Sequence, residues 1–404
     1  IRDLAFQPGR VNPYVLAGAR FDKTVHIWEF EVSESFESGV TWKLIHNFGG
    51  HTAPVFALDY SNDGSVLTSA SGDSCLRQWE TGEDRSALRW PDEGTVFDLL
   101  VTHDGNQIVS AKGDRGFDIT VRDTRTGEVI RNLVGHRGAV SSISLSPDGS
   151  TLASASYDGT IRAWPLADAN GAPRWIHQSA PATVNSVTWS PDGRSLAAAT
   201  DRDMIQVLDA ADGSLKDSIS VTSDRIPSIR YSPDGRFLAA AVMPQNTVLL
   251  IDCRNGERRE LSGHHQPIRI VRFSPNGQVL ASAGDDLNVR LWSLRDDDLG
   301  RCIAELEGHQ QDIFALAFSP DGAALASAGR GGGIKLWSIY TGRCLVTLPG
   351  HRDMVFNICF GPDGRRLYSG GRDGVIRAWD LRYFDRHIEG NVAYQRTKFA
   401  PSPD

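Results

Sequence analysis

The sequence predicts an all-β protein made of nine copies of one four-stranded antiparallel unit, and three observations predict it. A short strand pattern ending in tryptophan recurs along the chain, a Gly-His pair stands at a fixed distance before it, and a Pro-Asp-Gly turn keeps phase with both. Self-similarity at a period of about 40–45 residues with these signals is the mark of propeller blades.

The third strand of the unit reads KTVHIW to Trp28, SCLRQW to Trp79, GTIRAW to Trp164, NVRLW to Trp292, GIKLW to Trp337 and VIRAW to Trp379. Three units put other residues in the slot: Arg122, Leu208 and Ile251. Successive slots lie 41 to 51 residues apart. The Gly-His pair stands 28 residues earlier in five units, giving His51, His136, His264, His309 and His351. The turn reads SPDG at 146–149, 190–193, 232–235 and 319–322, SPNG at 274–277 and GPDG at 361–364. Proline fixes its own φ there, and glycine supplies the positive φ that a tight turn needs. Between turns run alternating apolar segments, such as VSSISLS, TLASAS and TIRAW within 140–164. A weaker fourth follows, such as RCLVTLPG at 343–350. Runs of period two bounded by turns are strands.

Composition excludes several classes. The chain has 404 residues, 40% hydrophobic and 23% charged, which is globular and far from disorder. A formal net charge of -8 speaks against nucleic acid as a partner, because phosphate affinity rests on a basic footprint. Cys75, Cys253, Cys302, Cys344 and Cys359 are odd in number and include no CxxC, which suits reduced thiols in the cytoplasm. No apolar run approaches the ~18 residues of a membrane helix, so no membrane partner is expected for this segment. The chain starts at Ile1 in mid-pattern, so it reads as a piece of a longer protein with further domains upstream.

The units resemble WD40 repeats, and the resemblance spans residues 1–381. It implies a hydrogen-bonded tetrad inside each blade, formed by the Gly-His histidine, a second-strand serine, a turn aspartate and the tryptophan. The sets carried over are His51, Ser69, Asp73 and Trp79; His136, Ser154, Asp158 and Trp164; His264, Ser282, Asp286 and Trp292; and His351, Ser369, Asp373 and Trp379. The eighth unit keeps His309, Ser327 and Trp337 but has Gly331 in the aspartate slot. Units three, five and six lack both histidine and tryptophan, and the first keeps only Asp22 and Trp28.

The simplest arrangement is one ring of nine blades over 1–381. The alternative is a seven-bladed ring of units three to nine, preceded by two blades of a truncated second propeller. In WD40 rings the N-terminus usually supplies the outer strand of the last blade. Ile1 already sits in a first strand, so that strand is expected upstream or from the tail, 382–404, which otherwise packs across the bottom. The tail is similar to those of bacterial WD-repeat proteins in which the repeats follow a kinase or other signalling domain.

Catalysis is not expected. The sequence has no G-x-x-x-x-G-K-[ST], H-E-x-x-H or G-x-S-x-G, and Gly329–Gly333 fails as a dinucleotide loop and reads as a turn. Five of the eleven histidines take the tetrad slot in separate blades, so they do not converge on one metal ion. His264-His265 reads as one inward and one solvated ring. Asp296-Asp297-Asp298 lacks the spacing of a calcium loop. No cofactor and no metal are expected.

The expected function is non-catalytic binding of protein or peptide partners on the top face. The alternative is an enzyme or small-molecule-binding propeller that uses the central channel. The resemblance implies three rim positions per blade: three and five after the histidine, and the residue before the turn aspartate. Among the residues in them, Arg2, Phe21, Phe56, Phe97, Phe314, Met354, Phe356, Arg330 and Arg372 are the expected partner-binding set. If the ninth unit closes on the first, these form one arc of aromatics and arginines, the composition of interface hot spots. An acidic or phosphorylated peptide with apolar anchors would suit it.

Overall fold

The computed structural model describes residues 2–6, 14–31, 41–48, 53–60, 66–71, 76–80 and 88–91. It then describes 94–381 apart from 115, 169–170, 180–181, 203, 222–224, 349–350 and 352. Among these residues the strands form nine antiparallel sheets, one per repeat, here called blades 1 to 9.

Blade 4 shows why the sequence folds this way. Val140–Leu145, Thr151–Ser156, Thr160–Pro165 and Trp175–Gln178 pair in chain order. The first hairpin is closed by its SPDG turn. Ser146 Oγ donates to Asp148 Oδ1 at 2.5 Å, and Asp148 accepts the Ser150 N–H at 3.0 Å. Ser146 Oγ also accepts the Thr151 N–H at 2.9 Å, while Gly149 takes a φ of 71°. The Ser146 hydroxyl and the Ser150 N–H hold the Asp148 carboxyl down at about 2. These recurring aspartates are therefore committed to turns.

The second strand, Thr151–Ser156, is buried from its second residue to its last. Small residues of the TLASAS type let neighbouring sheets stack against both of its faces. On one side Leu152 and Trp164 join Val109, Ile119 and Val121 of blade 3; on the other, Ala153, Ala155 and Ala163 join Val184, Val187 and Leu196 of blade 5. Each interface buries roughly ten side chains, of which a large one contributes about 1.5–3 kcal/mol.

The chain forms two compact bodies: residues 1–85 with 333–337 and 343–350, and the remainder. In the first, Asp3–Phe6, Tyr14–Ala19, Val25–Glu31 and Thr41–Phe48 make blade 1. Val55–Tyr60, Val66–Ser71 and Leu76–Glu80 make blade 2. Val15, Val25 and Ile27 of blade 1 pack on Val55, Leu58 and Leu67 of blade 2.

The second body holds a closed ring of seven inner strands: Val96–Val101, Val140–Leu145, Val184–Trp189, Ile229–Tyr231, Ile268–Phe273, Ile313–Phe318 and Val355–Phe360. They lie side by side in that order, and the last returns to the first. Three further features make the closure. Leu88–Pro91, which precedes blade 3 in the chain, pairs with Val375–Asp380 as the outer strand of blade 9. Val96, Leu99 and Ile108 of blade 3 share a buried cluster with Tyr368, Ile376 and Ala378 of blade 9. Asn357 Nδ2 of blade 9 donates to Asp98 Oδ1 of blade 3.

Nine sheets are thus present, but the arrangement of all nine in one ring is corrected: blades 3 to 9 close on themselves, as in the alternative arrangement. The closing strand is 88–91, not a segment upstream of Ile1 or the tail; residues 382–404 lie outside the described residues. The physical reason is that a sheet edge is a row of open N–H and C=O groups that accepts whichever strand reaches it. By chain order Leu88–Pro91 would be the fourth strand of blade 2. Spent on blade 9, it leaves blade 2 with three strands among the described residues.

Candidate binding rim and the blade relays

One irregularity positions the rim. In blades 2, 3, 4, 5, 7, 8 and 9 the first hairpin slips by one residue. The residue skipped is always the second of the inner strand: Phe56, Phe97, Ser141, Asn185, Arg269, Phe314 and Phe356. A bulge leaves its extra residue outside the ladder and re-aims its side chain. These are the rim positions five after the histidine slot.

In the seven-strand ring the bulge aromatics meet. The Phe314 and Phe356 rings lie 5.7 Å apart, and Phe356 and Phe97 lie 5.4 Å apart with planes at 73°. Tyr157, from the turn of blade 4, extends the row at 6.5 Å from Phe97. Tilted and edge-on contacts at these separations are the favoured ring geometries. Phe97 also lies over Gly113, where an added Cβ would meet the ring at 2.5 Å. Tyr157 is exposed, and the three phenylalanines are half-buried against one another. Met354 is half-buried beside them in sequence, and its carbonyl accepts the Arg372 N–H at 2.8 Å.

The rim arginines are engaged. Arg330 pairs with Asp312 at 3.0 Å, Arg372 with Asp353 at 3.8 Å, and Arg269 grips Asp285 at 2.8 and 2.6 Å. Arg225 Nη2 reaches the Tyr157 hydroxyl at 3.4 Å.

The expected arc through blades 8, 9, 1, 2 and 3 is corrected accordingly. Blade 9 adjoins blade 3, so Phe314, Phe356 and Phe97 come together directly. Arg2, Phe21 and Phe56 belong to the first body, where the Arg2 guanidinium lies 5.4 Å over the Phe21 ring and Phe21 and Phe56 are exposed. Tyr157 was outside the expected site, although it occupies the same turn slot as Phe21, Arg330 and Arg372.

Inside the blades the tetrad residues form a relay. In blade 4 the Trp164 indole N–H donates to Ser154 Oγ at 2.8 Å, and Ser154 Oγ lies 2.7 Å from His136 Nε2. His136 Nδ1 lies 2.9 Å from Asp158 Oδ2, which also accepts the Arg137 N–H at 2.9 Å. The consistent assignment has Ser154 donating to Nε2 and a proton on Nδ1 facing the carboxylate. Burial lowers the His136 pKa below its ordinary 6.5 against the opposing pull of Asp158. Burial acts to raise Asp158, but hydrogen bonds from His136, Thr160 and the Arg137 N–H outweigh it and hold that carboxyl well below the usual range.

The same chain joins Trp292, Ser282, His264 and Asp286 in blade 7, at 2.8, 2.7 and 2.7 Å. In blade 9 it joins Trp379, Ser369, His351 and Asp373, at 2.9, 2.7 and 3.0 Å. In blade 8 His309 Nε2 lies 2.6 Å from Ser327 Oγ. In blade 2 Ser69 is buried; His51, Asp73 and the Trp79 side chain lie outside the described residues. Among the described residues no three His, Cys, Asp or Glu side chains are grouped to hold a metal ion. No described helix is long and apolar enough to cross a membrane.

A ring of antiparallel blades with a bulge-presented rim and Trp-Ser-His-Asp relays defines a β-propeller of the WD-repeat class. Residues 42–80, 127–165, 256–293, 300–338 and 342–380 match the family described as WD domain, G-beta repeat. Residues 175–232 match the WD40 domain of anaphase-promoting complex subunit 4. The chain belongs to the WD40-repeat family.

Among curated proteins it is 29% identical over 191 residues to nuclear distribution protein PAC1 of Arthroderma benhamiae, covering 42% of this chain and 36% of that protein. It is 28% identical over 160 residues to a guanine nucleotide-binding protein subunit beta-like protein of Encephalitozoon cuniculi, covering 38% and 46%. It is 30% identical over 173 residues to cell division cycle 20.1, cofactor of APC complex, of Arabidopsis thaliana, covering 42% and 36%. The matches thus span less than half the length of each relative. All three are eukaryotic proteins, and the bacterial origin expected from the tail finds no support in them.

Proposed function

We propose that the seven-strand ring is a non-catalytic scaffold that binds a protein segment on its bulge-side rim. The observation that carries this reading is the row Phe314–Phe356–Phe97–Tyr157, drawn from four blades, set at three bulges and a turn, and ending on an exposed tyrosine. Aromatic side chains with arginine neighbours supply large contact area at low entropic cost, which is the make-up of binding hot spots. The partner is a segment with apolar anchors. An acidic or phosphorylated one must share Arg330 and Arg372 with Asp312 and Asp353, so the apolar anchors dominate.

Two relatives with names that place them in assemblies, a G-protein β-like subunit and a cofactor of the APC complex, support the class of function. The free cysteines among the described residues suit a cytoplasmic setting, and a place inside a larger signalling protein is part of the same reading.

The test is affinity capture from the source cells with wild type and with Phe314→Ser/Phe356→Ser, both shown to be folded by thermal melting. Loss of a stoichiometric partner from the folded double variant is the expected result. A partner retained at wild-type level would move the function off this rim.

A further inference from the structure

The inner strands carry a second pattern, independent of the rim. In blades 3 to 6 a polar residue at one inner slot, Asp98, Ser142, Ser186 or Ser228, reaches across to the next blade and accepts a backbone N–H of its inner strand. Asp98 Oδ2 takes Ile143 N at 2.7 Å, Ser142 Oγ takes Val187 N at 3.4 Å, Ser186 Oγ takes Ile229 N at 3.2 Å and Ser228 Oγ takes Val271 N at 3.4 Å. In blade 1 Asp3 Oδ2 likewise takes Leu58 N of blade 2 at 2.8 Å. These side chains line the wall around which the inner strands close.

Two residues further along, on the same strand face by the period of two, blades 6 and 7 carry Arg230 and Arg272. Arg230 is held through Nη1 alone, to Ile229 O at 2.7 Å, Ser186 Oγ at 3.2 Å and Val187 O at 3.4 Å. Arg272 is held through Nη1 to Val271 O at 3.0 Å. Both side chains are half-buried, so their remaining donors reach space open to solvent. Among the described residues no carboxylate stands within ion-pair distance of either guanidinium. The nearest acidic influence is Asp98, on the inner strand of blade 3. Blade 3 adjoins neither blade 6 nor blade 7, so that influence acts across the central channel.

The charges do not balance. Two guanidiniums face one carboxylate, which is itself buried, bonded by Asn357 and the Ile143 N–H, and pushed up by desolvation. Burial also pushes the Cys359 thiol well up, so it adds no negative charge. Burial and the neighbouring Arg230 together bring Arg272 down to about 9. Partly desolvated cations are stable when an opposite charge accepts their hydrogen bonds.

We propose that the central channel of the seven-strand ring holds a small free oxyanion, of the phosphate or carboxylate class, on the spare donors of Arg230 and Arg272. The planar guanidinium fork matches the paired oxygens of such an anion. The site goes beyond the rim reading and stands without it.

The test is calorimetric titration of the whole chain with inorganic phosphate, and separately with acetate, at low ionic strength and pH 7.5. One site per chain for at least one of them is expected, and the stronger of the two names the class. Arg272→Gln is expected to weaken it at least tenfold, and Asp98→Asn, which removes the competing charge yet keeps an acceptor for Ile143 N–H, to tighten it. Should Arg272→Gln fail to fold, Arg272→Lys keeps the charge and loses the fork, with the same weakening expected. Phe356→Ser is expected to bind phosphate or acetate as wild type does, which separates this site from the rim. No saturable binding in the wild type, or equal binding in the arginine and aspartate variants, would overturn the proposal.

Discussion

Blades 4 and 5 are neighbours with the same strand layout and the same one-residue bulge, yet they are held together differently. Blade 4 runs a polar relay from Trp164 through Ser154 and His136 to Asp158. Blade 5 puts Leu208 in the tryptophan slot and Ala198 in the serine slot, and both pack with Trp175, Trp189 and Leu196. Backbone pairing sets the blade in both cases, and its interior can be satisfied by bonded polar groups or by apolar packing. What differs is the cost of a partial loss. A relay that loses one member strands its buried partners, whereas an apolar cluster loses only area and packing.

The largest expected effect tests that difference directly. Trp164→Ala should destabilise the second body by roughly 3–5 kcal/mol, from lost packing plus an unserved Ser154. Leu208→Ala should cost about 2–5 kcal/mol from the cavity alone. Trp164→Phe isolates the polar part, at roughly 1–3 kcal/mol, and Leu208→Met should cost under about 1.5. Urea melts of the four variants check this. A Trp164→Phe cost near zero would remove the relay as a stabilising device.

Acid should sharpen the same contrast. His136 is neutral in the fold because burial lowers its pKa from 6.5, so its contribution is fully present above 6.5 and is lost as pH falls below it. Asp158 is also depressed, from 3.8, so its contribution is present above that value and lost on further acidification. Both signs agree: stability falls with acid, each proton adding a slope of up to about 1.4 kcal/mol per pH unit. Between pH 7.5 and 5.5, His136→Asn should show a shallower decline than wild type, whereas Leu208→Met should track the wild type. Equal slopes in the histidine variant and wild type would mean that His136 carries no proton linkage.

The smallest effect lies on the rim. Arg330 is an exposed partner of Asp312, so Arg330→Ala should change stability by less than about 1 kcal/mol. A larger loss by thermal melting would make that arginine structural and unfit for partner binding.

Much of a blade was legible because its signals are local. The SPDG turn is written in four residues, and its Ser-Asp and Asp-backbone bonds follow from their order, as at Ser146, Asp148 and Ser150. The relay residues of blade 4 lie within 28 positions of one another, at spacings that the strand lengths set. The rim positions came from the resemblance to WD40 repeats, and the bulge recurs at one of them in seven blades. Tyr157 was harder to single out, because a turn slot shows its residue without showing which ring it will face. Arg230 and Arg272 carried a faint signal as arginines in the same slot of two successive inner strands, but their opposition to Asp98 joins residues more than a hundred positions apart.

The sequence alone determined the all-β class, the nine sheets and the four-strand order of the blade, because turns and strand periods at short range decide each of these, while its resemblance to WD40 repeats supplied the members of the relays. Only the tertiary structure decided how many blades close a ring. Leu88–Pro91 can satisfy any open sheet edge, and nothing in its four residues says that Val375–Asp380 will receive it. Ring closure depends on the summed stacking of seven sheets and on the fit of Val96, Leu99 and Ile108 against Tyr368 and Ile376. That fit is long-range packing, and a periodic sequence writes it almost identically at every repeat.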